Sequence, residues 1–377
     1  LADGLSFADD TKQAVSLVRE NFSGPIVLGG SGFTIFPEKL MQLLEADFGI
    51  VGDGERFVGL LEALEKGEEV LGLTGVVQKG GKAIMPEPWT GTCPRPATGV
   101  GPGVEYYVRN GGMLNLQTKR GCPYKCIYCT YSVIEGAKHR LFEPIEVAKT
   151  ARQLEDVGAK FLFVTDAAFN SDVEHSLAVG DAMREVGVSI PWGALFVPRA
   201  VPKDYYQRLA NAGLTHVEFG TESLAASMLT SYRKPFLVQD VHESHRAAHN
   251  AGLHVAHYFM FGGPGETRET VAETLDNVEL LSKSALFFFC GIRIYPGTRL
   301  HKIAIEERQI KEVDELFEPV FYHSNSFSPD KIMTFVSKRS KRRVNWIVGS
   351  GGERIARAVT HMHAKGHVGP LWEKIIP

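Results

Sequence analysis

Cysteine is scarce in this chain, with five residues in 377. That excludes a disulfide-stapled secreted scaffold and points to a reducing compartment. A charge bias is missing too. Lys and Arg number 41 against 44 Asp and Glu, a net charge of −3 that gives no general pull toward nucleic acid or an anionic membrane surface. Long hydrophobic runs are absent. The most apolar stretch, Ala285-Leu286-Phe287-Phe288-Phe289-Cys290, is far too short to cross a bilayer and reads as a buried strand, so no transmembrane segment is expected. No secretory leader is visible, and the expected location is the cytoplasm. The chain opens on Leu1 in what reads as the middle of a domain, so further residues are expected upstream. A hydrophobic content of 44% and a charged content of 23% are ordinary for a globular protein, and the length allows two or three domains.

Three of the few cysteines stand together. Cys122, Cys126 and Cys129 lie in the run Arg120-Gly121-Cys122-Pro123-Tyr124-Lys125-Cys126-Ile127-Tyr128-Cys129. Thiolates this close on one loop can wrap a single metal centre. A structural zinc site is normally closed by four Cys or His ligands, and no fourth lies near enough in sequence to complete one. An iron–sulfur cube has four irons, each wanting a ligand. Three cysteines leave one iron for a small molecule.

The spacing, with an aromatic before the last cysteine, resembles the signature of the radical S-adenosylmethionine (SAM) superfamily. The resemblance implies a 4Fe–4S cluster on Cys122, Cys126 and Cys129, with SAM chelating the open iron. An electron from a reductant such as ferredoxin or flavodoxin would then cleave the sulfonium bond. The resulting 5′-deoxyadenosyl radical would abstract hydrogen from an unactivated carbon.

The rest of the chain divides by pattern into four stretches. Residues 1–70 alternate helix and strand: helix at 10–21, strand at 25–28 closed by Gly29-Gly30-Ser31-Gly32, helix from Pro37 to 46, strand at 48–51 closed by Gly52-Asp53-Gly54-Glu55, and helix at 56–66. Residues 71–110 read as a hairpin, 76–79 against 82–84, followed by a Pro/Gly-rich linker. From 111 to 300, strands at 113–118, 160–166, 191–197, 216–220, 254–261 and 286–294 alternate with helices. Six βα units imply an open, partial (β/α)6 TIM-like barrel rather than a closed eight-stranded one. Residues 301–377 look like a helical C-terminal cap. The fold class is therefore α/β, a partial barrel between half of a Rossmann-like domain and that cap.

The resemblance assigns roles within this frame, each beside a plainer reading. Tyr128 sits where relatives place an aromatic whose backbone meets the adenine, though its ring is as readily a packing group. Asp166, at the end of the second strand, would receive the SAM amino group; an Asp there is also a common helix cap. Glu222 would bind ribose hydroxyls, or simply favour a helix dipole, and Arg233 or Lys234 would pair with the SAM carboxylate. Gly263 and Pro264, in Gly262-Gly263-Pro264-Gly265-Glu266, would flank the adenine or merely make a turn. Arg293 would point toward the cavity. Lys119, Arg120 and Lys125 beside the cysteines could offset cluster charge or be solvated loop residues.

The front stretch resembles the cobalamin-binding domain of one large branch of the superfamily, through Gly29-Gly30-Ser31-Gly32, Pro37-Glu38 and Gly52-Asp53-Gly54-Glu55. In relatives that glycine turn, here Gly29 and Gly30, passes the nucleotide tail of cobalamin; no histidine for a lower axial ligand is visible. Cobalamin is thus a third candidate cofactor, and a scaffold role for the half-domain is the other reading. Only Cys93 precedes the cysteine loop and only Cys290 follows it, so one cluster is expected, not two. The run Lys338-Arg339-Ser340-Lys341-Arg342-Arg343 could hold an anionic group or be a solvated face, and His361, His363 and His367 lack an acidic or thiol partner for a metal. The expected activity is methyl transfer or ring formation on a small apolar or lipid-like substrate. The alternatives are a cobalamin-independent oxidase or decarboxylase of a tetrapyrrole-like acid and a non-catalytic iron–sulfur redox sensor.

Overall fold

A computed structural model of the protein describes residues 4–89, 102–313, 316–349 and 352–377. Cys93 lies outside the described residues. The chain forms two compact units. One comprises Leu1–Pro94, Tyr128–Lys138 and Arg293–Phe321; the other comprises Arg95–Ile127, His139–Ile292 and Tyr322–Pro377.

The first unit opens with α1 (Gly4–Asn21), β1 (Val27–Leu28), α2 (Ser31–Ile35), α3 (Pro37–Leu44), β2 (Phe48–Ile50), α4 (Arg56–Lys66) and β3 (Val76–Gln78). Strand β1 pairs parallel with β2, and Phe33, Met41, Ala46, Val51 and Val77 form the core. Proline at the first turn of α3 costs nothing, because that N–H has no helical partner. The expected hairpin is not formed. Strand β3 pairs antiparallel with β2, Ile50 facing Val76, and residues 82–84 join no strand. The turn itself forms at Gly80-Gly81, where Gly81 N–H bonds back to the Gln78 carbonyl at 2.8 Å, but β3 takes β2 as its partner. Ala83 N–H goes instead to the Glu38 carboxylate, 3.2 Å away.

The second unit is built on a parallel sheet. Its elements are α5 (Pro102–Arg109), β4 (Met113–Leu116), α6 (Pro144–Asp156), β5 (Phe161–Val164), α7 (Val173–Glu185), β6 (Trp192–Phe196), α8 (Tyr205–Asn211), β7 (Leu214–Glu222), α9 (Ala226–Ser231), α10 (Val238–Asn250), β8 (His254–Phe261), α11 (Arg268–Asn277), β9 (Ala285–Cys290), α12 (Pro329–Arg339), β10 (Trp346–Val348) and α13 (Gly352–Ala364). The seven strands run in the order β10-β9-β8-β7-β6-β5-β4, an open TIM-like partial barrel. All six expected strands are present. The seventh, β10, comes from the segment expected to be wholly helical, and pairs Phe287 with Ile347 at the edge of β9.

Alternation along each strand sets two faces. Leu162, Val164, Ala194, Phe196, Val217, Phe219, Val255, Phe259, Leu286 and Phe288 are buried. Edge-to-face stacking of Phe169 on Trp192 and Phe196, with centroids 5.3 and 5.6 Å apart, ties the loop after β5 into that core. Their neighbours on the other face, Phe163, Leu195, Gly220, Tyr258, Met260, Phe287 and Phe289, are only half-buried. Helix starts are fixed by side-chain caps. Asp172 accepts from His175 N–H at 3.0 Å, and Thr267 and Thr270 cap α11 reciprocally.

Candidate active site

The chemistry-bearing residues of the second unit gather at the carboxyl ends of its strands, where sheets of this kind present their loops. Strand β4 runs out into Thr118 and Lys119, and both are held by Asp166, just past the end of β5. The Asp166 carboxylate accepts from Thr118 N–H at 2.8 Å, Thr118 Oγ1 at 2.5 Å and Lys119 Nζ at 2.8 Å. Lys119 Nζ also donates to the Phe169 carbonyl at 2.7 Å. Asp166 was expected to receive a cofactor amino group; both its oxygens are taken up inside the protein. Next to it, Asn170 and Val197 exchange two bonds of 2.8 Å, so the loop ends after β4, β5 and β6 are stitched together.

The cysteine loop starts directly after Arg120. Cys122 is buried, Cys126 and Cys129 are half-buried, and none of the three is in a disulfide. Burial pushes the Cys122 and Cys126 thiols up, while the Lys234 ammonium pulls both down and Lys119 adds to the pull on Cys122. Lys125 is exposed, and Tyr128 is half-buried. The loop is anchored at its centre: Ile127 N–H donates to the Tyr232 carbonyl at 3.2 Å. Tyr124 O–H accepts from Arg199, whose guanidinium also donates to the Ser171 carbonyl.

Strand β7 supplies the next group through a bulge. Tyr258 pairs with Gly220 but Phe259 pairs with Glu222, so Thr221 is the extra residue. Glu222 then sits at φ 62°, a left-handed conformation a non-glycine residue adopts only at a cost. Its carboxylate meets Lys234 Nζ at 3.3 Å, with the lysine side chain 7% exposed. Arg233, also left-handed at φ 54°, is exposed. Lys234 is therefore the basic residue that the structure brings to Glu222 and the thiols, and Arg233 is not.

The turn after β8 packs on Tyr232. A Cβ on Gly263 would lie 2.1 Å from the Tyr232 ring, so only glycine fits beneath it. Tyr232 O–H donates to the Met260 carbonyl at 3.0 Å and lies 3.5 Å from Glu266 Oε2. Glu266 is fully buried, accepts from Thr270 and Gly262, and has its pKa pushed up to about 7 by desolvation. Pro264 is half-buried and its carbonyl accepts from Ser231. Tyr232 and Glu266 received no role from the sequence, although a Glu placed between a Gly-Pro-Gly turn and a threonine cap is a readable signal.

The remaining candidates fall elsewhere. Arg293, expected to face the cavity, donates to the Phe317 carbonyl at 3.2 Å and stacks on Tyr295. The basic run is partly neutralised. Arg339 pairs with Asp276 at 2.8 Å, tying α12 to α11, and Arg343 pairs with Glu279 at 2.7 Å, tying the segments that follow the two helices, so these two side chains hold the fold rather than await an anion. His363 bonds the His367 carbonyl. Gly30 starts α2 at φ 91°, and a Cβ on Gly30 or Gly32 would meet nothing within 4 Å, which leaves that side of the glycine turn open. Among the described residues no three His, Cys, Asp or Glu side chains converge on one bare metal ion; cysteines on a cube stand wider, because each takes its own iron. Three cysteines outside any disulfide, two of them, Cys122 and Cys126, under the Lys234 ammonium, suit that donor set.

Residues 116–278 match the family profile described as the radical SAM superfamily. An uncharacterized methyltransferase of Pyrococcus horikoshii is 27% identical over 74% of this chain and 63% of its own length. The tryptophan 2-C-methyltransferase of Streptomyces laurentii is 24% identical over 80% of this chain and 62% of its own length. The chain thus spans less than two thirds of these two relatives. The solved structure of the radical SAM methyltransferase TsrM from Kitasatospora setae, with cobalamin and a [4Fe-4S] cluster bound, shares the fold at a TM-score of 0.87 and 19% identity, covering 98% of this chain and 82% of that one. Among the described residues no helix is long and apolar enough to cross a membrane. The matched stretch holds the cysteine loop and the strand-end residues just described, so residues 116–278 of this chain form a radical SAM domain.

Proposed function

We propose that this chain works in the cobalamin-associated branch of the superfamily, transferring a methyl group to, or closing a ring on, an unactivated carbon of a small apolar or lipid-like molecule. The observation that carries the reading is the loop after β4, with three cysteines outside any disulfide and the half-buried Lys234 ammonium acting on two of them. Cys122, Cys126 and Cys129 would hold a 4Fe–4S cluster, which when bound supplies a low-potential electron and an open iron for SAM.

The other roles belong to the chain's own side chains. Lys234, paired with Glu222, would bind the SAM carboxylate, and Glu222, re-aimed by its bulge, would accept from ribose hydroxyls. Tyr128, Gly263 and Pro264 would border the adenine. Asp166 acts as a positioning residue, fixing Thr118 and Lys119 so that the cysteine loop leaves β4 in one direction. Gly29 and Gly30 are the residues that would face the nucleotide tail of cobalamin, and the open side of their turn fits that use. A ferredoxin- or flavodoxin-type reductant would deliver the electron. The half-buried apolar face of the sheet would orient the target carbon and keep water away from it.

The test is anaerobic reconstitution of the chain with iron and sulfide, reduction in the presence of SAM, and assay for 5′-deoxyadenosine and methylated products. Cys126→Ala should lose both the brown chromophore and SAM cleavage. Retention of either by the variant, or no SAM cleavage by the reconstituted parent, overturns the proposal.

A further inference from the structure

We infer that the half-buried face of the second unit's sheet carries a slot for a planar aromatic group of the substrate, floored by Gly220 and walled by Tyr258. The inference rests on the reading above that substrate is held on this face, and it names the chemical class that the face would take.

Register places Tyr258 between Gly220 on β7 and Phe287 on β9. On the β9 side its ring stacks on Phe287, with centroids 4.8 Å apart and planes 11° apart, and Phe289 continues the same orientation at 9°. On the β7 side its hydroxyl reaches Glu218, but Gly220, the residue paired with it, offers no side chain to its ring. A Cβ built on Gly220 would touch only Glu222 Oε1, at 3.4 Å. The gap beside the ring is one strand spacing wide, about 4.8 Å. A flat ring laid over Gly220 would therefore stack on Tyr258 much as Phe287 does from the other side.

Glycine in the middle of a strand weakens the sheet, so its presence asks for a reason. Backbone conformation is not the reason: Gly220 is not among the residues at positive φ, and the bulge's left-handed residue is Glu222. Close approach of another backbone is not the reason either, since no backbone atom comes within 4 Å of the added Cβ. What remains is room for a ligand. The surroundings agree in chemistry. Phe163, Leu195, Met260, Phe287 and Phe289 leave apolar surface half-exposed on this face, whereas Phe219, Phe259 and Phe288 behind them are fully buried.

The wall is also fixed. Tyr258 O–H donates to Glu218 Oε2 at 2.8 Å, and Trp372 Nε1 donates to Glu218 Oε1 at 2.8 Å. The turn Trp372–Ile375, near the end of the chain, thus reaches under the sheet and locks the carboxylate that locks the tyrosine. Both partners of Glu218 are buried or half-buried, so the ring cannot swing out to fill the gap itself.

The experiment is a fluorescence titration of the whole chain with 2-naphthol, competed by decahydro-2-naphthol, its saturated counterpart. The aromatic probe should bind about tenfold more tightly than the saturated one. Gly220→Val fills the slot with a residue suited to strands; it should keep or raise the melting temperature and weaken 2-naphthol by about tenfold or more. Tyr258→Phe, which keeps the ring, should bind within about threefold of the parent, and Tyr258→Leu should lose about tenfold. Equal affinity for the two probes, no binding of 2-naphthol, or binding indifferent to Gly220→Val each overturns the slot. The titration needs neither cluster nor SAM. A failure here leaves the radical chemistry standing, and a failure of SAM cleavage leaves the slot standing.

Discussion

Lys119 Nζ lies 2.8 Å from Asp166 Oδ2, with both side chains 1% exposed. Desolvation of two charges is repaid here by geometry: the ammonium has the Phe169 carbonyl as a second acceptor, and the carboxylate has two bonds from Thr118. Removing one partner strands the other. Asp166→Asn should therefore destabilise the chain by about 3–5 kcal/mol in urea unfolding, and adding Lys119→Met should recover a large part of that loss. Because the cysteine loop begins immediately after this pair, the single variant should also take up less iron on reconstitution. Unfolding of the single variant at the parental urea midpoint would contradict this account.

The Gly263–Tyr232 contact makes a second case. Gly263→Ala puts a methyl group where the Tyr232 ring is, 2.1 Å from its nearest carbon, and the ring cannot retreat without losing its bond to Met260. A cost of about 1–3 kcal/mol is expected from overpacking. The loss should spread to the cysteine loop, because the Tyr232 carbonyl holds Ile127 N–H. Reduced cluster content in Gly263→Ala, measured as iron per chain, is the outcome to look for, alongside a lower melting temperature.

Much of this frame was legible in the sequence, for physical reasons. Strands covered by helices read as apolar runs bounded by glycine and polar residues, which is why the six strands of the partial barrel were found within a few residues of their ends. Strand β10 escaped because Trp346-Ile347-Val348 is only three residues long and follows a basic run. The hairpin at 76–84 failed for the opposite reason. Its local turn signal was correct, but β2, distant in sequence, offered β3 the better partner. At the site, the cysteines are a local pattern and could be read directly. The engagement of Asp166 by Lys119 is a contact across 47 residues, and no periodicity reports it. Choosing Lys234 over its neighbour Arg233 needed the backbone, since a left-handed turn at Arg233 sends the two side chains different ways.

That choice can be tested. Lys234→Met removes the ammonium facing Glu222, and loss of a charge-assisted pair to the SAM carboxylate should weaken SAM binding to the reconstituted protein by about tenfold or more. Arg233→Met, at an exposed position, should change it by less than about threefold. Equilibrium binding of SAM to the two variants decides between them. The reverse ranking would return the role to Arg233 and leave Lys234 as a partner for Glu222 alone.

Glu266 gives a pH dependence whose sign follows from its burial. Its carboxyl is raised to about 7 in the folded chain, mainly by desolvation, against 4.5 as an ordinary glutamate. Between those values the folded state holds a proton that the unfolded state has released. The folded state binds more protons there, so stability falls as pH rises through that window. The full difference amounts to about 3 kcal/mol and is complete above neutral pH. Glu266→Gln keeps a neutral group able to bond Gly262 and Thr270 but cannot ionise. Its urea stability should fall less steeply between pH 5 and 7 than the parent's, as about that shift requires, and the variant should be the more stable of the two at pH 8, a value chosen roughly one unit above the raised pKa. Parallel stability curves for parent and variant across this range would mean that Glu266 ionises without cost, contrary to its place between Tyr232 and the turn after β8.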